Sequence, residues 1–125
     1  MDQTTLVNFD VEAGLKTLTA LDEAHIKTIV ALWMVSPDYD DGRLVISSPD
    51  IEQFQLLKAY QQVAKALHGR FPYMTPPILI LPTSNPFIRE LRRIFGKTKD
   101  ISGMRLGGQT IGGRYISDAY VYRVK

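Results

Sequence analysis

Hydrophobic and polar positions recur along the chain with helical and strand periods, and the first of these patterns is helical. Val11, Leu15 and Leu18 fall on one helical face, after an aspartate that is a suitable N-cap. This spacing predicts a first helix over about residues 10–21. Gly14 lies inside it and lowers its intrinsic propensity by about 1 kcal/mol relative to alanine.

Two apolar runs on either side of a turn predict a β-hairpin. The first covers residues 27–36 and the second covers residues 43–47, and the proline, aspartates and glycine of residues 37–42 separate them. The first run also fits a helical stripe. The turn and the second run favour two strands, because apolar runs that flank such a turn are typical of a hairpin.

Two further helices and a strand follow in the predicted order. Ser48 is expected to cap a second helix, with Pro49 at its first position and Gly69 at its end. Residues 78–81, an apolar run between prolines, predict a short third strand. A third helix is capped by Ser84 or Asn85, opened by a proline and ended by a glycine at position 96.

The tail from residue 104 to residue 124 reads as β structure. Two glycine pairs interrupt it and predict a hairpin, a bulge or both. Its last strand alternates, with Tyr120, Tyr122 and Val124 expected on one face. The predicted order is therefore α-β-β-α-β-α-β-β. We expect an α+β fold with three helices and a mixed, mostly antiparallel sheet of about five strands.

Length and composition set the class of protein. The 125 residues fit one domain, predicted to span residues 1–125, and the chain contains no cysteine. The first residues show neither the basic nor the apolar region that a secretion signal is expected to have, and the longest apolar run is far shorter than the ~20 residues that cross a bilayer. We therefore expect a cytoplasmic protein with no membrane contact, no cofactor, and no metal held by cysteine.

Charge is distributed unevenly. Residues 1–62 hold four basic and ten acidic side chains, a net charge of −6, and residues 63–125 hold eleven basic and three acidic side chains, a net charge of +8. Such asymmetry can indicate an acidic partner, nucleic acid included. The alternative interpretation is that the two halves attract each other within the fold or between subunits.

Two stretches carry a resemblance. One comprises Ala-Leu-Trp at residues 31–33, Arg-Leu-Val-Ile at 43–46 and Pro49; the other comprises Ile-Ser-Gly-Met-Arg at 101–105 and Gly-Arg-Tyr-Ile-Ser-Asp-Ala-Tyr-Val-Tyr-Arg at 113–123. Together they resemble a group of small bacterial proteins with no assigned activity. The resemblance implies a bacterial or phage source and a single domain. It implies no catalytic or binding residues.

Few residues are arranged for catalysis. The acidic cluster Asp38, Asp40 and Asp41 lacks the remaining positions of a calcium loop and is typical of a turn. His25 and His68 stand at predicted element ends, outside any metal-ligand spacing. The glycine-rich stretch from residue 103 to residue 114 could admit a phosphate, but it runs between strands, where glycines usually mark bulges or close packing.

The remaining signal is a concentration of arginine and tyrosine near the C-terminus. Between residues 89 and 114, seven basic and two acidic side chains give a net charge of +5. Both residue types are enriched at interfaces, and a C-terminal strand at a sheet edge would invite pairing with another chain. The candidate partner-binding residues are Arg89, Arg92, Arg93, Arg105, Arg114, Tyr115, Tyr120 and Tyr122.

These observations favour a non-enzymatic protein-interaction module of the immunity, antitoxin or accessory type, whose partner is another protein or a second copy of the chain. Basic residues beside stacking rings also suit nucleic acid, which is the first alternative. A small hydrolase or ligand-binding protein that uses His25 or His68 with the acids of residues 38–41 is the second. No catalytic residue is assigned.

Overall fold

The computed structural model describes residues 8–37, 39–51, 55–72, 75–99 and 101–125. The helices are α1 (Asn8–Glu23), α2 (Leu56–Leu67) and α3 (Pro86–Phe95). The strands are β1 (Val30–Ser36), β2 (Tyr39–Ser47), β3 (Ile78–Ile80), β4 (Met104–Leu106), β5 (Gln109–Ile111), β6 (Arg114–Ile116) and β7 (Asp118–Val124). The predicted order of helices and strands is confirmed, and the predicted β tail consists of four strands.

Five strands form one sheet in the order β3-β2-β1-β7-β4, and β5 and β6 form a separate hairpin. β3 runs parallel to β2, while the other neighbours in the sheet are antiparallel. The predicted α+β class with a mixed, mostly antiparallel sheet is therefore confirmed. The hairpin of β1 and β2 is confirmed as well, with β2 beginning at Tyr39, inside the predicted turn.

The centre of the sheet is buried on both sides. Ala31, Trp33 and Val35 point into a core shared with α1 and α2. Val30, Leu32 and Met34 point into a second core, shared with α3 and the β5–β6 hairpin. Because both faces of β1 are covered, its sequence is a continuous apolar run without the alternation of a half-exposed strand.

Helix α1 approaches the sheet closely enough to explain its internal glycine. The Trp33 indole Nε1–H donates to the main-chain oxygen of Asp10. The Tyr122 hydroxyl donates to the main-chain oxygen of Val11 at 2.6 Å. A Cβ at Gly14 would lie 2.2 Å from the Tyr122 hydroxyl oxygen, so a larger residue there would force the neighbouring side chains to shift.

α1 ends in a Schellman motif whose left-handed position is a histidine. His25 has φ of +62°. Its N–H donates to Asp22 O at 3.0 Å, and the N–H of Ile26 donates to Leu21 O at 2.9 Å. This is the paired hydrogen bonding with which many helices end, usually around a glycine.

The predicted start of the second helix is wrong. α2 begins at Leu56, and residues 52–54 lie outside the described part of the chain. Ser48 has another role: its hydroxyl donates to Lys27 O at 2.5 Å and accepts from the N–H of Asp50 at 3.2 Å. The Asp50 carboxylate accepts from the N–H of Lys27 at 2.7 Å. The Ser-Pro-Asp sequence at residues 48–50 therefore forms a turn that is hydrogen-bonded to the main chain of Lys27.

The third helix follows its sequence signals. The Asn85 side chain accepts from the N–H of Phe87 at 2.9 Å, with Pro86 at the first helical position. Phe87, Ile88 and Leu91 are buried against the sheet. Of the two predicted caps, Ser84 and Asn85, the structure shows Asn85. The helix ends before Gly96, as predicted.

The last strand differs from the prediction in position and in alternation. β7 lies between β1 and β4, so the expectation that it forms a sheet edge is wrong. A register shift next to Ala31 leaves Tyr122 without a paired residue on β1. This bulge breaks the alternation, so that Val124 joins the α3-side core and Tyr122 joins the other.

Candidate interaction surface

The predicted partner-binding residues divide between the two sides of the sheet. Arg89, Arg92 and Arg93 lie on α3, and Arg114 and Tyr115 lie on the neighbouring β6. Tyr120 and Tyr122 belong to the opposite, α1-side core, and Arg105 pairs with Tyr120 across β4 and β7. The structure therefore brings five of the eight residues to one side and separates the other three.

The three arginines of α3 form an outward stripe, which we call the α3 basic face. They are three and four positions apart, so they share one side of the helix, and all are exposed. Arg92 Nε donates to the main-chain oxygen of Lys125 at 2.8 Å. This hydrogen bond restricts the freedom of the Arg92 side chain at the surface.

Arg93 forms an ion pair with Glu90, one turn earlier on the same helix. Its Nε lies 3.1 Å from each carboxylate oxygen. The hydrogen bond from Arg93 lowers the pKa of the Glu90 carboxyl below its ordinary value. Both groups are in contact with water, so the pair orients the guanidinium and adds little to the stability of the fold.

The β5–β6 turn packs against the beginning of α3. Gly112 and Gly113 have φ of +55° and +81°, the left-handed conformation of a two-residue hairpin turn between Ile111 and Arg114. A Cβ on Gly112 would lie 2.5 Å from Pro86 O. Gly113 therefore serves the backbone geometry of the turn, and Gly112 serves both that geometry and the close packing that the sequence suggested.

A recess of about 610 Å³ lies where this turn meets α3. Arg114 and Tyr115 line it, together with Asn85 and Phe87. The Arg114 guanidinium carbon lies 5.7 Å from the centroid of the Phe87 ring, within the range of a cation–π contact. Tyr115 is 46% exposed. The recess thus places an oriented arginine and an accessible tyrosine beside the α3 basic face.

On the opposite side of the sheet, Tyr120 and Tyr122 are parts of the core. Their rings meet edge to face, with centroids 5.1 Å apart. Tyr122 is 9% exposed, and burial raises the pKa of its hydroxyl far above the ordinary value. Arg105 is occupied by Asp118, to which it donates at 2.6 Å. None of these three side chains contributes to the surface around α3.

The opposite charges of the two halves meet at the surface, at the end of α1. Glu23 pairs with Arg70, and Asp22 pairs with Arg123 at 3.3 Å. Part of the charge asymmetry is therefore used within the molecule, as one interpretation of the sequence expected. The arginines of α3 are not partners in these contacts between the halves.

The residues considered for catalysis are dispersed. His25 and His68 are exposed, and neither lines the recess at α3. Asp38 and the side chains of Asp40 and Asp41 lie outside the described residues. Within the described ranges, no three histidine, aspartate or glutamate side chains are grouped as a metal site would need. No helix among them is both long and apolar enough to cross a membrane.

Comparisons with protein-family models, with curated proteins and with solved structures found no match to this chain. The bacterial origin implied by the resemblance therefore stays a prediction, as does its single domain. The recess at α3 was not predicted from the sequence. Its signal is nevertheless present at residues 112–115, where two adjacent glycines are followed by an arginine and a tyrosine.

Proposed function

We propose that this chain is a non-enzymatic protein-interaction module that binds an acidic protein surface through the α3 basic face and the adjoining recess. The observation that carries the proposal is the placement of Arg89, Arg92 and Arg93 on the outer side of a helix whose other side is anchored in the core. Glu90 is the one acidic residue in the sequence of this helix. The face therefore has a net positive charge and lies on a helix that is fixed to the core.

The contacts within this surface favour binding. Arg92 and Arg93 are each held by a hydrogen bond, and Arg114 lies over the Phe87 ring. Side chains that are already ordered lose less entropy when a partner arrives. Arginine and tyrosine are also the residues that most often dominate binding energy at protein interfaces. Tyr115 supplies an accessible ring at the border of the cationic face.

An acidic protein is favoured over nucleic acid because the aromatic platform is incomplete. Sheet-based modules that hold single strands stack bases on several exposed rings. Of the three tyrosines expected to provide them, Tyr122 is buried and Tyr120 packs against the α1-side core, while Tyr115 is exposed. The positive charge of the face also attracts phosphate groups, so nucleic-acid binding is the competing outcome of the test.

The test compares a charge-reversed surface with a matched control. The variant Arg89→Glu/Arg93→Glu reverses two of the three charges of the α3 basic face, and Lys27→Glu/Lys65→Glu changes the net charge equally at exposed positions away from α3. Each immobilised protein is used to capture partners from a lysate of the source cell, and the captured proteins are identified and quantified. We expect the first variant to lose an acidic protein that the wild type and the control both retain.

Three parallel measurements separate the alternatives. Reversing two interfacial charges should weaken binding of the recovered partner by about tenfold or more. Titration with single- and double-stranded oligonucleotides at two salt concentrations tests nucleic acid, because phosphate contacts weaken steeply with salt. Light scattering tests self-association. Equal capture by both variants, or a tight and salt-sensitive oligonucleotide complex that depends on Arg89 and Arg93, contradicts the proposal.

A further inference from the structure

A second cleft lies on the other side of the sheet, between the first half of α1 and the segment that leads into β3. Its volume is about 610 Å³. We call it the α1 cleft. Its apolar lining consists of Trp33, Phe71, Pro72, Pro76 and Pro77. This size and an aromatic, proline-rich lining are typical of sites for small molecules.

The floor of the α1 cleft is held in place by the fold. Trp33 belongs to the central strand β1 and is 2% exposed, and its indole N–H donates to the main-chain oxygen of Asp10. The close approach at Gly14 brings α1 against the same ring. Because the tryptophan cannot turn away without breaking these contacts, the floor of the cleft is formed before a ligand arrives.

Acidic side chains outnumber basic ones in the lining of the α1 cleft. Asp10 and Glu12 supply two carboxylates, and Lys16 supplies one ammonium. That ammonium lies 4.9 Å from the centroid of the Phe71 ring. The face of Phe71 is therefore already covered by a cation of the chain itself, within the range of a cation–π contact. The cleft is therefore apolar within, negative in net charge and compatible with a positively charged group.

We propose that the α1 cleft binds a small aromatic compound that carries a protonated amine. The ring packs against the prolines, and the amine lies at the mouth, where it interacts with the carboxylate of Glu12. Asp10 adds to the negative potential there. This site is separate from the α3 basic face, since the two lie on opposite sides of the sheet.

The sequence provides an internal reporter for this site. Trp33 is the single tryptophan of the chain, so under native conditions selective excitation of indole fluorescence reports on the floor of the cleft. The probes are 2-phenylethylamine, 2-phenylethanol and phenylacetate, which share one ring and differ in charge. For a fragment of this size we expect a Kd on the order of 1 mM for the amine. Phenylacetate should bind at least about tenfold more weakly, with the alcohol between the two.

Two glutamates on α1 provide the variant and its control. Glu12→Gln removes a carboxylate of the cleft, and Glu23→Gln removes one that pairs with Arg70 away from it. Both positions are exposed, so both variants should fold. Glu12→Gln should weaken the amine several-fold and leave the alcohol unchanged, while Glu23→Gln should leave both unchanged.

The outcomes are decisive in either direction. A saturable change of Trp33 fluorescence with the amine, reduced by Glu12→Gln, supports the assignment. Tighter binding of phenylacetate than of the amine overturns it, as does an amine affinity that Glu12→Gln leaves unaltered. Absence of saturation with the amine up to concentrations well above the expected Kd also overturns it. Each result is independent of whether the α3 basic face binds a protein.

Discussion

Substitution of Gly14 by alanine separates the contribution of helix propensity from that of packing. Position 14 lies inside α1, where alanine is intrinsically favoured over glycine by about 1 kcal/mol. The structure predicts the opposite sign. A Cβ there would lie 2.2 Å from the Tyr122 hydroxyl oxygen and 2.7 Å from Trp33 Nε1, far inside van der Waals contact.

The expected magnitude follows from the contacts that must shift. Overpacking of a dense core costs about 1–3 kcal/mol. Displacement of the Tyr122 hydroxyl breaks its hydrogen bond to Val11 O, which contributes about 1 kcal/mol. The gain of about 1 kcal/mol in helix propensity offsets part of this loss. We therefore expect Gly14→Ala to lower the free energy of unfolding by about 2 kcal/mol.

The assay is urea denaturation, followed by Trp33 fluorescence and by circular dichroism. Thr19→Ala serves as the control, because Thr19 is exposed on the same helix and alanine there should be neutral or slightly stabilising. Tyr122→Phe removes the atom nearest to the new Cβ and should recover part of the loss in the double variant. A Gly14→Ala protein as stable as the wild type, or more stable, would refute this account of α1 packing.

Three further substitutions test the fold at separate places. His25→Gly should raise the free energy of unfolding by about 0.5–1 kcal/mol in a thermal melt, because glycine adopts the left-handed conformation without steric cost. A loss of stability would contradict the assigned end of α1. Asn85→Ala should lower it by about 1 kcal/mol in urea through loss of the α3 cap, whereas Ser84→Ala should have little effect. Burial raises the pKa of Tyr122 in the folded chain above its ordinary value of 10.0, so the free energy of unfolding should fall as pH rises through and beyond that value. In denaturation measured at several pH values, Tyr122→Phe should lose less stability than the wild type on the alkaline side. An equal loss in both proteins would contradict the burial of this hydroxyl.

Elements with strong local signals were predictable from the sequence. The α3 helix has an asparagine cap, a proline at its first position and a glycine after its last, and all three act within a few residues. The β1–β2 hairpin is specified by two apolar runs and one turn. The class of fold follows from the order of these elements, since apolar faces must be covered in a small number of ways.

Features that depend on distant contacts were not predictable in this way. The interior position of β7 arises from its pairing with β1 along one edge and with β4 along the other, which the alternation of its own residues does not specify. The bulge at Tyr122 then moves Val124 to the other face. Ser48 has every local property of a helix cap, yet its hydroxyl forms a tertiary contact with Lys27.

The candidate surface could be predicted only in part, because its helix follows from local spacing and its neighbours follow from distant contacts. The stripe of Arg89, Arg92 and Arg93 follows from helical spacing, which is local. The separation of Arg105 from that stripe depends on strand order and on which face of β4 meets α3. Spacing along the chain therefore identified the basic helix, and the three-dimensional fold determined which neighbours join it.

Site-specific photocrosslinking tests the proposed role of the α3 basic face most directly. Because the chain has no cysteine, Lys97→Cys beside α3 and Lys65→Cys on α2 each give one attachment point for a photoreactive group. We predict that the label at position 97 forms a discrete adduct with an acidic protein, and that this adduct disappears at high salt or with Arg89→Glu/Arg93→Glu. Equal adducts from positions 97 and 65, or an adduct at position 97 that survives charge reversal, would contradict the proposal.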